Sequence, residues 1–156
     1  MSQQISAGVM LYRRDAGEVE ILIAHPGGPF WARKDEGAWS IPKGLIDDDE
    51  DARTAAKREL AEETGCEVDD EALWALGEVR LKSGKRVVAF AAEAPCDPDL
   101  LDANEFEMEW PPRSGRTASF PEIDRIEWVT PEVAARKLNP AQASLVENLL
   151  RALGSG

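Results

Sequence analysis

The chain is poor in several residue types. Of its 156 residues two are cysteine, one is histidine and one is tyrosine, and aromatic side chains make up 6%. Cys66, Cys96 and His25 cannot complete a tetrahedral zinc site without a carboxylate, and their spacing matches no zinc-ligand pair, so a zinc centre is disfavoured. Long apolar runs are missing as well. No stretch free of Asp, Glu, Lys and Arg exceeds 12 residues; Ile21 to Ala32 is such a stretch, interrupted by Pro and Gly and well short of the ~20 that a membrane-spanning helix needs. The Met1-Ser2-Gln3-Gln4 start has neither the basic nor the apolar region of a signal peptide, which predicts a cytoplasmic protein with Cys66 and Cys96 as reduced thiols.

Basic residues are scarce relative to acids: 18 Lys and Arg against 30 Asp and Glu, a formal charge of -12. Such a surface is repelled by phosphate backbones and anionic lipid, which excludes plain electrostatic binding to a nucleic-acid polymer or a membrane. A phosphate-bearing ligand would have to arrive with cations. The 43% hydrophobic content suffices for a core, so the expectation is one domain over residues 1–156. The charge is local: residues 44–71 hold 12 acids and three bases, so this one window carries most of the excess.

Ser6 to Arg13 and Val19 to His25 are apolar runs around Asp15-Ala16-Gly17, a hairpin pattern. Pro26-Gly27-Gly28-Pro29 then breaks regular structure, and a loop follows to about Gly37. After the extended piece Trp39 to Gly44, Asp48 or Asp49 offers an N-cap for a helix through Thr64, stopped by Gly65. Leu73 to Leu81 and Arg86 to Ala94 predict a second hairpin. Phe106, Met108 and Trp110 alternate with Glu105, Glu107 and Glu109 as in a strand, Pro112 to Pro121 reads as a long surface loop, and Ile126 to Val129 as a short strand. Thr130-Pro131 and Asn139-Pro140 each begin a helix, the second running to about Leu153. Strands interrupted by helices make the class α/β or α+β.

The helix ending at Thr64 carries the chemistry. At ~100° per residue, Glu59, Glu62 and Glu63 share the arc of Ala52, Ala55 and Ala56, which with Leu60 marks the packed face. Arg53, Thr54, Lys57, Ala61 and Thr64 fall opposite. A solvated acidic face would place its glutamates outward, interleaved with lysines. Here like charges crowd the inner stripe, where at an effective dielectric of ~20 two charges ~4 Å apart repel by about 4 kcal/mol. Arg58 can reach Glu62 across one turn, but one guanidinium does not balance three acids. Oxygen ligands clustered this way suit Mg²⁺ or Mn²⁺, which bind through a few carboxylates together with substrate phosphates.

Gly44, five residues, Glu50, seven residues, then Arg58-Glu59-Leu60-Ala61-Glu62-Glu63-Thr64-Gly65 resembles the Nudix box, the signature of the Nudix hydrolase family. The resemblance runs from Gly44 to Cys66, where the family usually has a larger aliphatic residue. It implies an α/β/α sandwich around a mixed β-sheet. It also implies metal-dependent hydrolysis of a pyrophosphate bond in a nucleoside diphosphate linked to another group, with dinucleoside polyphosphates or nucleoside triphosphates as leading substrates. By position, Glu59, Glu62 and Glu63 are the expected metal ligands, one of them a candidate base toward water. Arg58 is expected to orient a box glutamate. Gly44, Glu50 and Gly65 shape the motif, Glu50 through loop contacts or an outer metal position.

Outside the box the resemblance points to Glu122 as an auxiliary ligand or base, with Glu105, Glu107 and Glu109 as alternatives. Lys43, in Pro42-Lys43-Gly44, is a candidate phosphate contact; Arg33, Lys34, Arg113 and Arg116 offer further positive charge, and Trp31, Trp39 and Phe120 faces on which a base would stack. His25 reads as structural. Two other readings compete with a hydrolase. A Nudix-like module that senses a nucleotide without turnover usually loses box carboxylates, and none is lost here. An acidic interaction surface would not place its acids among the packed alanines.

Overall fold

Ala16 and Gly17 both sit at positive φ, 54° and 85°, the backbone of a two-residue turn whose twist suits an antiparallel hairpin. This turn joins β1 (Ile5–Asp15) to β2 (Glu18–Pro26), with Tyr12 opposite Ile21. The computed structural model describes residues 4–154, so Met1 to Gln3, on which the cytoplasmic expectation partly rests, lie outside the described residues. After β2 the chain forms β3 (Lys43–Leu45), α1 (Ala52–Thr64), β4 (Trp74–Arg80) and β5 (Arg86–Glu93). It continues through β6 (Glu105–Glu109), β7 (Thr117–Pro121), β8 (Ile123–Val129), α2 (Pro131–Lys137) and α3 (Ala143–Ala152).

The main sheet has the order β4-β5-β1-β2-β8, with β3 on β1. Because β1 runs parallel to β5 and antiparallel to β2 and β3, the sheet is mixed. Strand alternation divides β1 between two layers. Ala7, Val9 and Leu11 pack with Ala55, Ala56 and Leu60 of α1, while Met10 and Tyr12 pack with Ala134 of α2 and Leu145 and Leu149 of α3. The result is the expected sandwich of helices on both faces of a mixed sheet. Gly8 of β1 lies under the chain entering β3: a β-carbon there would sit 2.5 Å from the Pro42 carbonyl oxygen and 2.7 Å from Lys43 Cβ. Only glycine lets that crossing lie so close to the sheet.

Several local expectations change. The N-cap of α1 is Asp51, not Asp48 or Asp49: its Oδ1 accepts from the Thr54 N–H at 2.7 Å. Thr64, placed by the wheel on the open side, is buried. It neighbours Leu60, donates through Oγ1 to the Leu60 carbonyl at 2.6 Å, and is covered by a segment whose Asp102 N–H bonds its own carbonyl. Part of the expected loop 112–121 is β7, because Phe120 pairs across from Phe106 and Ala118 from Met108, partners that a single-strand pattern does not reveal. The last helix opens as a tight turn over Pro140–Gln142 before α3.

The reduced-thiol expectation is overturned. Cys66 and Cys96 form a disulfide, with Cα atoms 5.7 Å apart although 30 residues separate them in sequence. Gly65, at φ 83°, ends α1 by donating to the Ala61 carbonyl and turns the chain back toward the end of β5. Both cysteines then lie in the hydrophobic cluster beneath α1. No helix among the described residues is long and apolar enough to cross a membrane.

Candidate active site

Arg58 organises the acidic stripe of α1. Its Nε and Nη2 donate to the two Glu50 carboxylate oxygens at 2.8 and 2.9 Å, a fork-to-fork pair. Its Nη1 donates to Glu59 Oε1 at 2.9 Å and to Glu62 Oε2 at 3.1 Å, and Nη2 also reaches the Leu45 carbonyl at 3.0 Å. One guanidinium therefore ties the loop after β3 to two carboxylates of the helix. The Glu50 bonds hold its own carboxyl below the usual range and raise Arg58 further above its already high value. Glu50 also accepts from the Asp47 N–H at 3.2 Å, so its oxygens are committed to loop contacts.

Glu59 and Glu63 are in a different situation. Burial pushes the Glu63 carboxyl up to about 8, with repulsion from Glu59 and Glu122 adding, against weaker relief from Lys43. Glu59 is raised as well, by burial first and by Glu62 and Glu122 after it, while Arg58 pulls it down. Burial lowers the Lys43 ammonium, opposed by Glu63 and Glu59. The Lys43 N–H points to both Glu63 oxygens at 3.3 and 3.4 Å. The site is thus a partly dehydrated concentration of negative charge without enough fixed cation to neutralise it.

Backbone hydrogen bonds bring a fourth glutamate to the same place. The last carbonyls of α1 lack partners within the helix; the Asn104 N–H takes the one at Glu62, and the Asn104 carbonyl accepts from the Glu122 N–H at 2.7 Å. Glu122, between β7 and β8, thereby lines one pocket of about 360 Å³ with Lys43, Gly44, Asp47, Arg58, Glu59, Glu62, Glu63 and Asn104. A larger hollow of about 830 Å³ lies on the outer side of α1, but its Lys57, Glu67, Asp69 and Asp70 are of mixed sign and do not converge.

A NUDIX domain model matches residues 2–149. The chain belongs to the Nudix family. A 79-residue segment is 37% identical to an RNA pyrophosphohydrolase of Pseudomonas putida, covering 49% of this chain and 50% of that protein. The chain spans from a fifth to a half of the length of such curated relatives. An Ap4A hydrolase of C. elegans in a binary complex superposes over 98% of this chain and 99% of its own, with 23% identity and a TM-score of 0.68. The NUDIX domain of Shewanella oneidensis NrtR with ADP ribose covers 98% and 90%, with 17% identity and a TM-score of 0.67. At these identities the likeness establishes the fold.

Within this Nudix chain the box residues Gly44, Glu50, Arg58, Glu59, Glu62 and Glu63 gather around one centre, and Gly65 turns the chain out of α1. Among the described residues no group of three or more His, Cys, Asp or Glu side chains stands ready to hold a metal ion, and Arg58 Nη1 occupies an oxygen of both Glu59 and Glu62. The donor set still fits a hard divalent cation: it is all oxygen, it carries excess negative charge, and burial, with repulsion between the glutamates adding to it, raises Glu59 and Glu63.

Other candidates lie elsewhere. Trp39 is completely buried, with its indole N–H donated to Asp35 Oδ1 at 2.7 Å, so it offers no face to a ligand; it was apolar enough for either role, and the sheet contacts of its neighbours place it inside. His25 is structural, bonded to Asp124 Oδ1 at 2.8 Å through Nδ1 and to the Lys34 carbonyl at 2.6 Å through Nε2. Arg33 and Lys34 are exposed and do not line the acidic pocket. Glu105, Glu107 and Glu109 face solvent, and Glu109 is used by the turn, accepting from the Arg113 and Gly115 N–H groups. Arg113 and Arg116 sit at that exposed tip. Asp47 and Asn104 were not singled out from sequence; no local pattern marks a residue whose place is set by a distant backbone bond.

Proposed function

We propose that the chain is a divalent-metal-dependent hydrolase that cleaves a pyrophosphate bond in a nucleoside diphosphate linked to another moiety, with dinucleoside polyphosphates and nucleoside triphosphates as leading substrates. The observation that carries this reading is the convergence of Glu59, Glu62, Glu63 and Glu122 on one pocket beside Lys43. Glu59, Glu62 and Glu63 are the residues that would hold Mg²⁺ or Mn²⁺, and the bound ion supplies charge neutralisation of the phosphates and a more acidic attacking water.

The chain's own groups do the rest. Arg58 fixes Glu59 and Glu62 so that their free oxygens face the pocket. Lys43, next to Glu63, contacts a substrate phosphate oxygen. Glu122, opposite the helix, is placed to take the proton of the attacking water or to support a ligand. The whole chain works as one domain, with a small phosphoanhydride as its partner. The relatives named RNA pyrophosphohydrolase add a triphosphorylated RNA end to the substrates worth testing, since an end exposes phosphates without requiring a long polymer track.

The test is turnover of a panel comprising Ap4A, nucleoside triphosphates, ADP-ribose and 5′-triphosphorylated RNA, with and without Mg²⁺, for the wild type and for Glu62→Gln and Glu63→Gln. Metal-dependent cleavage that the variants lose supports the reading. No turnover, or variants equal to wild type, sinks it. Tight nucleotide binding without product would instead favour a non-catalytic sensing domain.

A further inference from the structure

The Cys66–Cys96 bond joins the two segments that frame the acidic pocket. Cys66 follows Glu63 closely, just past the Gly65 turn that ends α1, and Cys96 comes shortly after β5. From Cys96 the chain runs back across the end of α1 as a strap, residues 96–104. Asp97 opens it by accepting from the Asp99 N–H at 2.9 Å, which caps a tight turn over Pro98–Leu100. The Asp102 N–H then donates to the Thr64 carbonyl and the Asn104 N–H to the Glu62 carbonyl, both at 3.2 Å. Asp102 packs over Gly65, where a β-carbon would come within 3.3 Å of Asp102 Cβ. The strap ends on the Asn104 carbonyl, which holds the Glu122 N–H.

The two ends of the cross-link are anchored differently. The Cys96 carbonyl accepts from the Trp128 indole N–H at 2.7 Å, so this end stays tied to β8 whatever the state of its sulfur. The Cys66 N–H donates to Thr64 Oγ1 at 3.0 Å, a bond within its own turn. The disulfide is therefore what fastens the last turn of α1, with Glu62 and Glu63, to the strap that brings Glu122. Without it the junction rests on the Asp102 and Asn104 hydrogen bonds, and a junction of that kind opens locally at a free energy far below that of global unfolding. The bond is also reachable: Cys66 is half-buried, and Cys96 lines a hollow of about 690 Å³ together with Arg13, Arg14 and Pro98.

We propose that the Cys66–Cys96 bond is a redox switch for metal binding at the acidic pocket. Oxidised, it locks the end of α1 to the strap and keeps Glu62 and Glu63 in register with Glu122; reduced, it lets them separate and weakens the site for a divalent ion. The inference rests on the metal-site reading above. The co-reactant is a dithiol. One of its thiolates attacks a sulfur of the bond, the other cysteine sulfur leaves and takes up a proton, and the second thiol of the reductant then displaces the mixed disulfide. Two electrons and two protons pass to the cysteines, and the dithiol becomes a disulfide. In a protein that meets a reducing thiol pool, a disulfide of this kind is characteristically redox-sensing. Groups that orient metal ligands without binding the ion themselves change affinity by about 10- to 100-fold when lost, so freeing the helix end is enough to switch the site.

The experiment compares oxidised protein, protein reduced with dithiothreitol and desalted without oxygen, and the Cys66→Ser, Cys96→Ser double variant. Calorimetric titration with MgCl₂ reads the metal site, and amide hydrogen exchange in EDTA reads the strap. Reduction should weaken Mg²⁺ binding about 10-fold and speed exchange at Asp102, Asn104 and Glu122 by roughly 10-fold, with β1 and β5 unchanged. The double variant should match the reduced protein with or without dithiothreitol, and reoxidation with oxidised glutathione should restore the starting values. A disulfide that only stabilises the fold would lower the melting temperature and leave Mg²⁺ affinity alone. Oxidised protein that binds no Mg²⁺, or equal affinity in both redox states, overturns the proposal. So does exchange that rises throughout the chain, the result if the reduced protein unfolds. The two readings fail separately, because neither readout needs turnover. A redox-dependent Mg²⁺ affinity in a chain that cleaves nothing keeps the switch and removes the hydrolase, whereas cleavage with equal affinity in both states does the reverse.

Discussion

The backbone of Gly44 lies directly against the Glu59 carboxylate, so that a β-carbon at position 44 would overlap the carboxylate carbon. The contact couples the end of β3 to the helix that bears the acids. It also gives Gly44 a role based on space, since the requirement is a missing side chain.

Gly44→Ala must therefore displace Glu59, the loop, or both. Because Glu59 shares Arg58 with Glu62 and Glu50, the displacement spreads through the network. The expected loss of Mg²⁺-dependent activity is about 10- to 100-fold, the range for groups that position a metal ligand. Steady-state kinetics check it, and a thermal melt within a few degrees of wild type separates misplacement from unfolding.

Divalent metal should stabilise the fold. Binding to the folded state alone contributes about 2.7 kcal/mol at a concentration 100 times Kd, equivalent to roughly 5–11 °C for a chain of this size. Scanning calorimetry with MgCl₂ and then EDTA measures it. Glu63→Gln should abolish most of the shift; an unchanged shift in that variant would move the metal away from α1.

The metal-free protein should lose stability as pH rises. Glu63 is held up to about 8 when folded, against about 4.3 in an unfolded chain. Between those values the folded state keeps a proton that the unfolded state has released, so unfolding becomes easier as pH increases through about 4.5 to 8, and the trend levels above 8. Glu59, raised in the same direction, adds to it. Urea titrations across this range in EDTA should show the slope, and Glu63→Gln should flatten it.

Reducing the Cys66–Cys96 disulfide should be costly. It closes a 30-residue separation, which in the chain-entropy account contributes about 3–4 kcal/mol, or roughly 6–16 °C of melting temperature. Melts with and without dithiothreitol, and of the Cys66→Ser, Cys96→Ser double variant, measure the effect. Equal melting temperatures would show that the bond contributes nothing in solution.

The readable parts of the sequence were those whose signals are local. α1 announced itself through Gly65 and through the small residues Ala55 and Ala56 on one face, and the two hairpins through Ala16-Gly17 and Lys82-Ser83-Gly84-Lys85. The unreadable parts depend on a partner. Thr117–Pro121 is a strand because Phe106 lies opposite Phe120, and Thr64 is buried because the 102–104 segment folds over the helix end. The same holds for the aromatics. Trp31 and Trp39 stand eight residues apart in one loop region, yet Trp39 has no exposed surface and Trp31 lines a cleft.

By itself the sequence determined the acidic stripe, since residues three and four apart on a helix share a face whatever surrounds it. That periodicity, with the spacing from Gly44 to Gly65, was enough for the family. Only the tertiary structure decided what completes the site. Glu122 reaches the stripe through the Asn104 bridge, Arg58 divides its donors among Glu50, Glu59 and Glu62, and Cys66 meets Cys96 at the end of β5. Each of these depends on contacts between segments far apart in the chain, whose geometry is set by sheet order and layer packing and leaves no mark on the neighbouring residues.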